Sequence, residues 1–321
     1  MTQQYAGAVT AVSSDGRFVA IANYDAAAPD DTQNPLTIVY DTRTEQRLIT
    51  VYGQITSLSP DGTMACLCDG INTIRIYECA TGKVIKEFSG IYAKFTGELL
   101  LVGLNPTEGE VYSASNWELI HKSSMKLTEK TIDSLTSPFM PNASRLLARA
   151  PGKQLIAYDL PTGFILWRGS GVDGYFSDDG SKICIDSITT KCPTVDIYAI
   201  ETGKQLCQIL GFSALFSPDT RSIAAAKYDE QENKTTIYDI ATGSPQHTYK
   251  GEILQFSPDG TKTIMIVEGD GKDACDSVHV FDLGSERTLQ KFDILTEVDF
   301  LPNGSLCIHR DNTTQIAPQT P

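Results

Sequence analysis

An all-β chain, folded as a closed β-propeller of eight four-stranded blades, is what three recurring features of the sequence predict. The first is a strand–turn–strand hairpin, most complete in Gly251-Glu252-Ile253-Leu254-Gln255-Phe256-Ser257-Pro258-Asp259-Gly260-Thr261-Lys262. The second is an aromatic followed by an acid at the end of a third strand, as in Tyr40-Asp41, Tyr77-Glu78, Tyr158-Asp159, Tyr238-Asp239 and Phe281-Asp282. The third is a second tight turn just after that pair: Ala80-Thr81-Gly82, Pro161-Thr162-Gly163, Glu201-Thr202-Gly203 and Ala241-Thr242-Gly243. The unit returns about every 40 residues, and a lone hairpin of this kind cannot bury its apolar face, so neighbours must stack.

In the first turn, Pro presets one central dihedral, Asp tolerates the next, and Gly accepts the positive φ that closes it. Asp15, Asp61, Gly97, Asn142, Asp179, Asp219, Asp259 and Asn303 mark eight such hairpins. The strand after each turn is apolar and rich in small residues, as in Ile223-Ala224-Ala225-Ala226. An aromatic at one fixed place per repeat suits packing between blades, and the acid beside it accepts backbone N–H bonds within its turn. Gln4-Tyr5-Ala6-Gly7 has the form of the repeat ends Val51-Tyr52-Gly53 and Thr248-Tyr249-Lys250-Gly251. Residues 2–6 are therefore expected to be the fourth strand of the last blade, beside Glu297–Leu301, Ser305–Ile308 and Thr313–Ile316. Such closure hides sheet edges. Residues 1–321 form a single propeller domain on this scheme; the alternative is seven blades with an appendage from about residue 294.

The units Ile76-Tyr77-Glu78-Cys79-Ala80-Thr81-Gly82-Lys83 and Phe256-Ser257-Pro258-Asp259-Gly260 resemble WD-repeat and YVTN-type β-propeller repeats, and the resemblance covers nearly the whole chain. Tyr-Asp or Phe-Asp stands in place of Trp-Asp, and no Gly-His dipeptide precedes a first strand, so the family's Asp-His-Ser-Trp hydrogen-bond network is not carried over. The resemblance implies a rigid platform for protein complexes, with enzymes or cofactor holders as the minority use. Fold alone does not choose between them.

Charge narrows the classes. With 26 Lys plus Arg against 40 Asp plus Glu, the net charge is −14. That disfavours nucleic acid, which needs a basic stripe, and docking to anionic lipid. It suits a basic protein partner, and solubility explains it equally. No stretch reaches the roughly 20 apolar residues of a membrane span, and the first residues lack the pattern of a secretory signal. The sequons at Asn142, Asn233, Asn303 and Asn312 then read as chance. Cys66, Cys68, Cys184 and Cys307 sit in apolar runs where a thiol packs as a small hydrophobe, so a cytoplasmic protein without disulfides is expected.

Turns joining first to second and third to fourth strands fall at one end of the blades and are short. Loops joining second to third strands fall at the other and are longer, which is where binding residues concentrate. Their acids are the candidate contacts: Asp25, Asp30 and Asp31; Asp229, Glu230 and Glu232; Glu268, Asp270, Asp273 and Asp276. They read as a negative rim for one or more basic protein partners or, equally, as solvated loops. Glu268-Gly269-Asp270-Gly271-Lys272-Asp273 lacks the spacing of a calcium loop, so no metal is expected there. No catalytic residue and no cofactor is assigned: His121, His247, His279 and His309 are scattered, and Cys66-Leu67-Cys68 offers two thiols where zinc needs four ligands. Trp117 and Trp167 fit inter-blade packing; Arg145, Arg149 and Lys153 give the fourth blade a small basic patch. An enzyme or small-molecule binder would use the central channel. There the expected first-strand residues are Thr10, Thr56, Ala93, Ser137, Gly174, Ala214, Leu254 and Val298, small or apolar unless the register slips by one. A non-catalytic protein-interaction scaffold, alone or as a subunit of a larger complex, is the expected function.

Overall fold

The computed structural model describes residues 2–26, 35–69, 71–105, 108–123, 145–150, 154–187, 193–228, 233–269 and 275–318. The elements in them are strands. After β1 (Gln3–Ala6), the first blade is β2 (Ala8–Val12), β3 (Phe18–Asn23), β4 (Leu36–Asp41) and β5 (Gln46–Tyr52). The second is β6 (Ile55–Leu58), β7 (Met64–Cys68), β8 (Thr73–Glu78) and β9 (Lys83–Ser89). The third is β10 (Tyr92–Thr96), β11 (Leu99–Asn105), β12 (Glu108–Ser113) and β13 (Leu119–Ser123). Then come β14 (Arg145–Ala150), β15 (Gln154–Asp159) and β16 (Ile165–Ser170), a three-stranded sheet; the hairpin expected at Phe139 to Ala143 lies outside the described residues.

The fifth blade is β17 (Asp173–Phe176), β18 (Lys182–Ser187), β19 (Thr194–Ala199) and β20 (Gln205–Leu210). The sixth is β21 (Phe212–Phe216), β22 (Ser222–Tyr228), β23 (Asn233–Asp239) and β24 (Pro245–Lys250). The seventh is β25 (Glu252–Phe256), β26 (Lys262–Val267), β27 (Ser277–Asp282) and β28 (Arg287–Asp293). Finally β29 (Glu297–Phe300), β30 (Leu306–Arg310) and β31 (Thr313–Ala317) form one sheet with β1, in the order β1-β31-β30-β29. The chain is therefore an all-β propeller of eight blades, the last completed by the N-terminal strand. Residues from 294 onward are a blade and not an appendage.

Contacts gather the chain into two compact units, residues 1–149 with 158–165 and 301–321, and residues 150–157 with 166–300. Within the first, Ala20, Val39 and Ile49 interleave with Ile55, Leu58 and Ala65 of the next blade, and Cys66, Ile74 and Ile76 with Ala93, Phe95 and Leu100 of the one after. Within the second, Cys184, Val195 and Ile197 meet Ala214, Ile223 and Ala225, while Ala224 and Ile237 meet Ile253 and Met265. The second strand of a blade is covered on both faces, which is why it is written in small and branched apolar residues.

The recurring aromatic does the work its spacing implies. Tyr5 packs on Tyr40 at 4.6 Å, Phe88 on Tyr112 at 4.7 Å, Trp167 on Tyr198 at 5.2 Å and Tyr249 on Phe281 at 5.5 Å. In each pair a fourth-strand ring meets the third-strand ring of the following blade. Trp117 joins the same contact from the third blade, 6.0 Å from Phe88. Opposite these aromatics the fourth strand carries a bulge, between the partners of Val39 and Tyr40, Ile76 and Tyr77, Val111 and Tyr112, and so on through Val280 and Phe281. A bulge bends and twists an edge strand, which blunts it as a template for further pairing.

Candidate functional site

Three of the long-loop ends are anchored alike where one blade hands over to the next. Gly7, Gly53 and Gly251 donate their N–H to the carbonyls of Asn312, Pro35 and Asn233, at 2.8 Å each. Their own carbonyls accept the hydroxyls of Thr314, Thr37 and Thr235, at 2.6, 2.6 and 2.8 Å. These threonines are buried in the third strands. The Thr235 hydroxyl also accepts the Ile253 N–H, so one side chain ties the third strand, the handover and the next first strand. Glycine is required: at Gly7 and Gly251, with φ near +114° and +109°, a Cβ would stand 2.3 and 2.4 Å from the carbonyl oxygens of Ala22 and Ile266.

Three of the predicted contact acids lie on this frame. Asp25 accepts the Asn312 amide at 2.5 Å, and Glu268 accepts the Asn233 amide at 2.5 Å. Each is an acid of one loop held by an asparagine of the neighbouring repeat. Asp276 accepts the Gly269 N–H at 3.3 Å, which draws it toward Glu268 within one loop. Glu268 and Asp276 belong to the second unit and Asp25 to the first. Asp30, Asp31, Asp229, Glu230, Glu232, Asp270 and Asp273 lie outside the described residues. A further acid at this end, Asp69, was not singled out from the sequence. Its carboxylate accepts the N–H groups of Ile71, Asn72 and Thr73, which holds its pKa down to about 2.

Apolar side chains share the loop ends. Ile71 is 81% exposed beside Asp69, and Tyr24 and Tyr52 stand out from the ends of β3 and β5 in the same unit. In the second unit Leu210, Ile294 and Leu295 are exposed at the ends of β20 and β28.

The first strands depart from expectation. Ala93, Ala214 and Val298 are buried in blade cores, whereas Leu254 is exposed and Ser137 lies outside the described residues. Bulges between Val9 and Ala11, Ile55 and Ser57, Phe212 and Leu215, and Ile253 and Gln255 shift the faces within the strands. Charge also stands in first strands that carry no such bulge, as in β10 and β17. Lys94, next to Ala93, is pushed down to about 8 by burial, and Asp299, next to Val298, is pushed up to about 6 by burial and then by Glu297. In the fifth blade Asp173 sits opposite Asp186 across β17 and β18, and Asp186 accepts the Tyr175 hydroxyl at 2.9 Å. Side chains also lace first strands together: Gln255 donates to the Phe300 carbonyl at 3.0 Å and accepts its N–H at 2.6 Å.

Cys66 and Cys68 lie on one side of β7 as their spacing requires. The buried Cys66 thiol donates to the Ala93 carbonyl at 3.9 Å and is held protonated by the neighbouring Cys68 and by burial, while Cys68 meets the Thr56 hydroxyl at 3.5 Å. His279 is bonded to Ser277 and Thr288, His309 to Thr314, and His247 lies 3.9 Å from Glu286. Among the described residues no three His, Cys, Asp or Glu side chains are grouped to hold a metal ion.

No protein-family model matches the chain, and no curated protein matches it. Solved structures do. The Dos1 propeller superposes with a TM-score of 0.64 at 12% identity, over 98% of this chain and 94% of that one. Sqt1 of Saccharomyces cerevisiae gives 0.63 at 10% identity, over 98% of each chain. The dihydro-heme d1 dehydrogenase NirN, in complex with DHE, gives 0.58 at 15% identity, over 90% of this chain and 66% of that one. These likenesses establish the propeller fold.

Proposed function

We propose that the protein is a non-catalytic, WD-repeat-like interaction scaffold that presents its long-loop ends to a basic protein partner, as a subunit of a larger complex. The carrying observation is the contrast between the two ends of its blades. The short turns repeat one self-contained hydrogen-bond pattern, while the long-loop ends combine acids with exposed Tyr24, Tyr52, Ile71 and Leu295 on a rigid frame. Large apolar side chains ringed by charge are the composition of a binding surface, and the acids steer an oppositely charged partner. Glu268 and Asp276, with Asp229, Glu230 and Glu232, are the proposed contacts in the second unit, and Asp25, with Asp30 and Asp31, in the first.

Affinity purification of the tagged protein at low and moderate salt identifies the partner, and reversal of Asp229, Glu230 and Glu232 to Lys tests the site. Weakened binding with a flatter salt dependence is expected. Binding that is unchanged by the reversal overturns the site assignment.

A second reading, a small ligand held against first strands of the second unit, draws on Asp299 and the Asp173–Asp186–Tyr175 group, since ionisable residues shifted by burial gather at functional sites. A thermal-shift screen of metabolites and metals separates it from the scaffold.

A further inference from the structure

The fourth strands are the free edges of their sheets, and the repeats serve as controls for one another. Opposite the third-strand aromatic, this strand carries Arg47 against Tyr40, Gln205 against Tyr198, Pro245 against Tyr238 and Thr288 against Phe281. Charge, amide, proline and hydroxyl are what keep an exposed edge from pairing with another chain. In the second and third blades the same position is Val84 against Tyr77 and Leu119 against Tyr112, followed by the bulged Ile85 and Ile120. In the fourth blade the residues after Gly163 are Phe164 and Ile165. Phe164 is 71% exposed, and the other five lie between 40% and 51%.

These side chains lie on successive blades within one unit. Phe88 of β9 meets Trp117 edge-on, just ahead of Leu119 and Ile120. A Cβ on Gly163 would meet the His121 imidazole at 2.4 Å, which sets Phe164 beside β13. Six half-exposed apolar side chains amount to roughly 500 Å², on the order of the largest functional patches of single chains and the larger part of the ~800 Å² each partner gives a stable interface.

Charge selects the occupant. Residues 54–170, which span these blades, hold 11 Lys plus Arg and 11 Asp plus Glu; the rest of the chain holds 15 and 29 and carries the whole net charge of −14. Two ion pairs also flank the stripe, Arg75 with Glu87 and Lys122 with Glu110, each at 3.1 Å. A strongly basic or acidic partner finds no complement here. Two copies of an acidic chain, which repel elsewhere, meet here without like-charge opposition.

We propose that the outer edges of the second, third and fourth blades, through Val84, Ile85, Leu119, Ile120, Phe164 and Ile165, form a self-association surface for a second copy of this chain. A two-fold contact of this kind is closed, so a dimer and not a filament is expected. Sedimentation velocity of the full chain at roughly 50 µM should show twice the 35.0 kDa monomer mass. Raising salt from about 50 to 300 mM should tighten the dimer by screening the repulsion between the acidic remainders. Leu119→Glu and Ile165→Lys should each raise the dissociation constant at least about tenfold, whereas Gln205→Glu and Thr288→Lys, at equivalent edge positions, should leave it unchanged. Phe164→Ser repeats the test without adding charge, and circular dichroism confirms that each variant is folded. A monomer at both salts overturns the proposal. So does a dimer that survives Leu119→Glu and Phe164→Ser, or one that Gln205→Glu breaks equally.

Discussion

At the short-turn end of the seventh blade, Ser257 donates to Asp259 at 2.6 Å and accepts the Lys262 N–H at 2.9 Å, and Asp259 accepts the Thr261 N–H at 3.0 Å. Ser59 with Asp61, Ser177 with Asp179, and Ser217 with Asp219 repeat the arrangement with little change. At the opposite end, where the sixth blade hands over to the seventh, the device that recurs among the described residues is a buried threonine, here Thr235, clasping the handover Gly251. Beyond it the loops differ in length, in charge and in what they expose. One end of each blade spends its polar groups on its own closure; the other fixes a frame and leaves the sequence above it free to vary. That division is what a display scaffold requires.

The frame is where a single change should cost most. Gly251→Val forces a side chain into the Ile266 carbonyl at a φ that branched residues avoid, and should destabilise by more than about 3 kcal/mol. Chemical denaturation checks it; a loss below about 1 kcal/mol would mean the handover is softer than the short turns. Ser257→Ala should cost about 2 kcal/mol, because the fully buried Ser257 hydroxyl is lost and the half-buried Lys262 N–H loses its acceptor. If Ser257→Ala proves the costlier of the two, the assignment of rigidity to the handover end is reversed.

Most of the scaffold was legible because its devices are local. A turn that needs positive φ at Gly62, Gly180 or Gly260 announces itself as Gly, and an aromatic that must reach the next blade recurs at a fixed offset as Tyr40, Tyr112 or Phe281. The eighth blade was legible from the likeness of Gln4-Tyr5-Ala6-Gly7 to later repeat ends. The first strands were not. A one-residue bulge has no compositional mark in Ile55-Thr56-Ser57 or Ile253-Leu254-Gln255, yet it exchanges the faces of every residue beyond it. Lys94 was not hidden by such a slip, since β10 pairs with β11 in unbroken register; a charged residue inside an otherwise apolar first strand, as at Lys94 and Asp299, is a signal the sequence did carry. The asparagines that hold Asp25 and Glu268 were hidden for another reason: Asn312 lies 287 residues from Asp25, and only the fold brings them together.

Acid titration sets the turns against the first strands. Asp61, Asp179 and Asp219 in the short turns, and Asp69 in a long one, are held below their ordinary pKa, Asp69 and Asp179 at about 2. The stability they confer is complete above about pH 4 and is lost as pH falls toward 2. Asp299 runs the other way. With its folded pKa near 6, the native state binds more protons than the unfolded chain between pH 4 and 6, so its contribution falls as pH rises through that window. Asp299→Asn should therefore raise stability at pH 7 by up to about 2 kcal/mol and leave it unchanged at pH 4. An equal effect at both pH values would show that the carboxylate is not the source.

The smallest effect on stability should fall on the exposed acids of the loop ends, and there the contrast between the two ends becomes a functional one. Asp276 is exposed and is held by one N–H at 3.3 Å, so Asp276→Lys should alter stability by less than about 0.5 kcal/mol. Asp259→Lys, at the short-turn end of the same blade, removes an acceptor used by Ser257 and Thr261 and should cost about 1 kcal/mol or more. Binding of a basic partner should rank the two in the opposite order. Asp276→Lys should slow association several-fold at low salt and lose that effect at high salt, while Asp259→Lys leaves association near its original rate. Stopped-flow association measured at two salt concentrations reads both. Equal slowing by the two variants would place the partner on the diffuse charge of the whole chain and not on its long-loop ends.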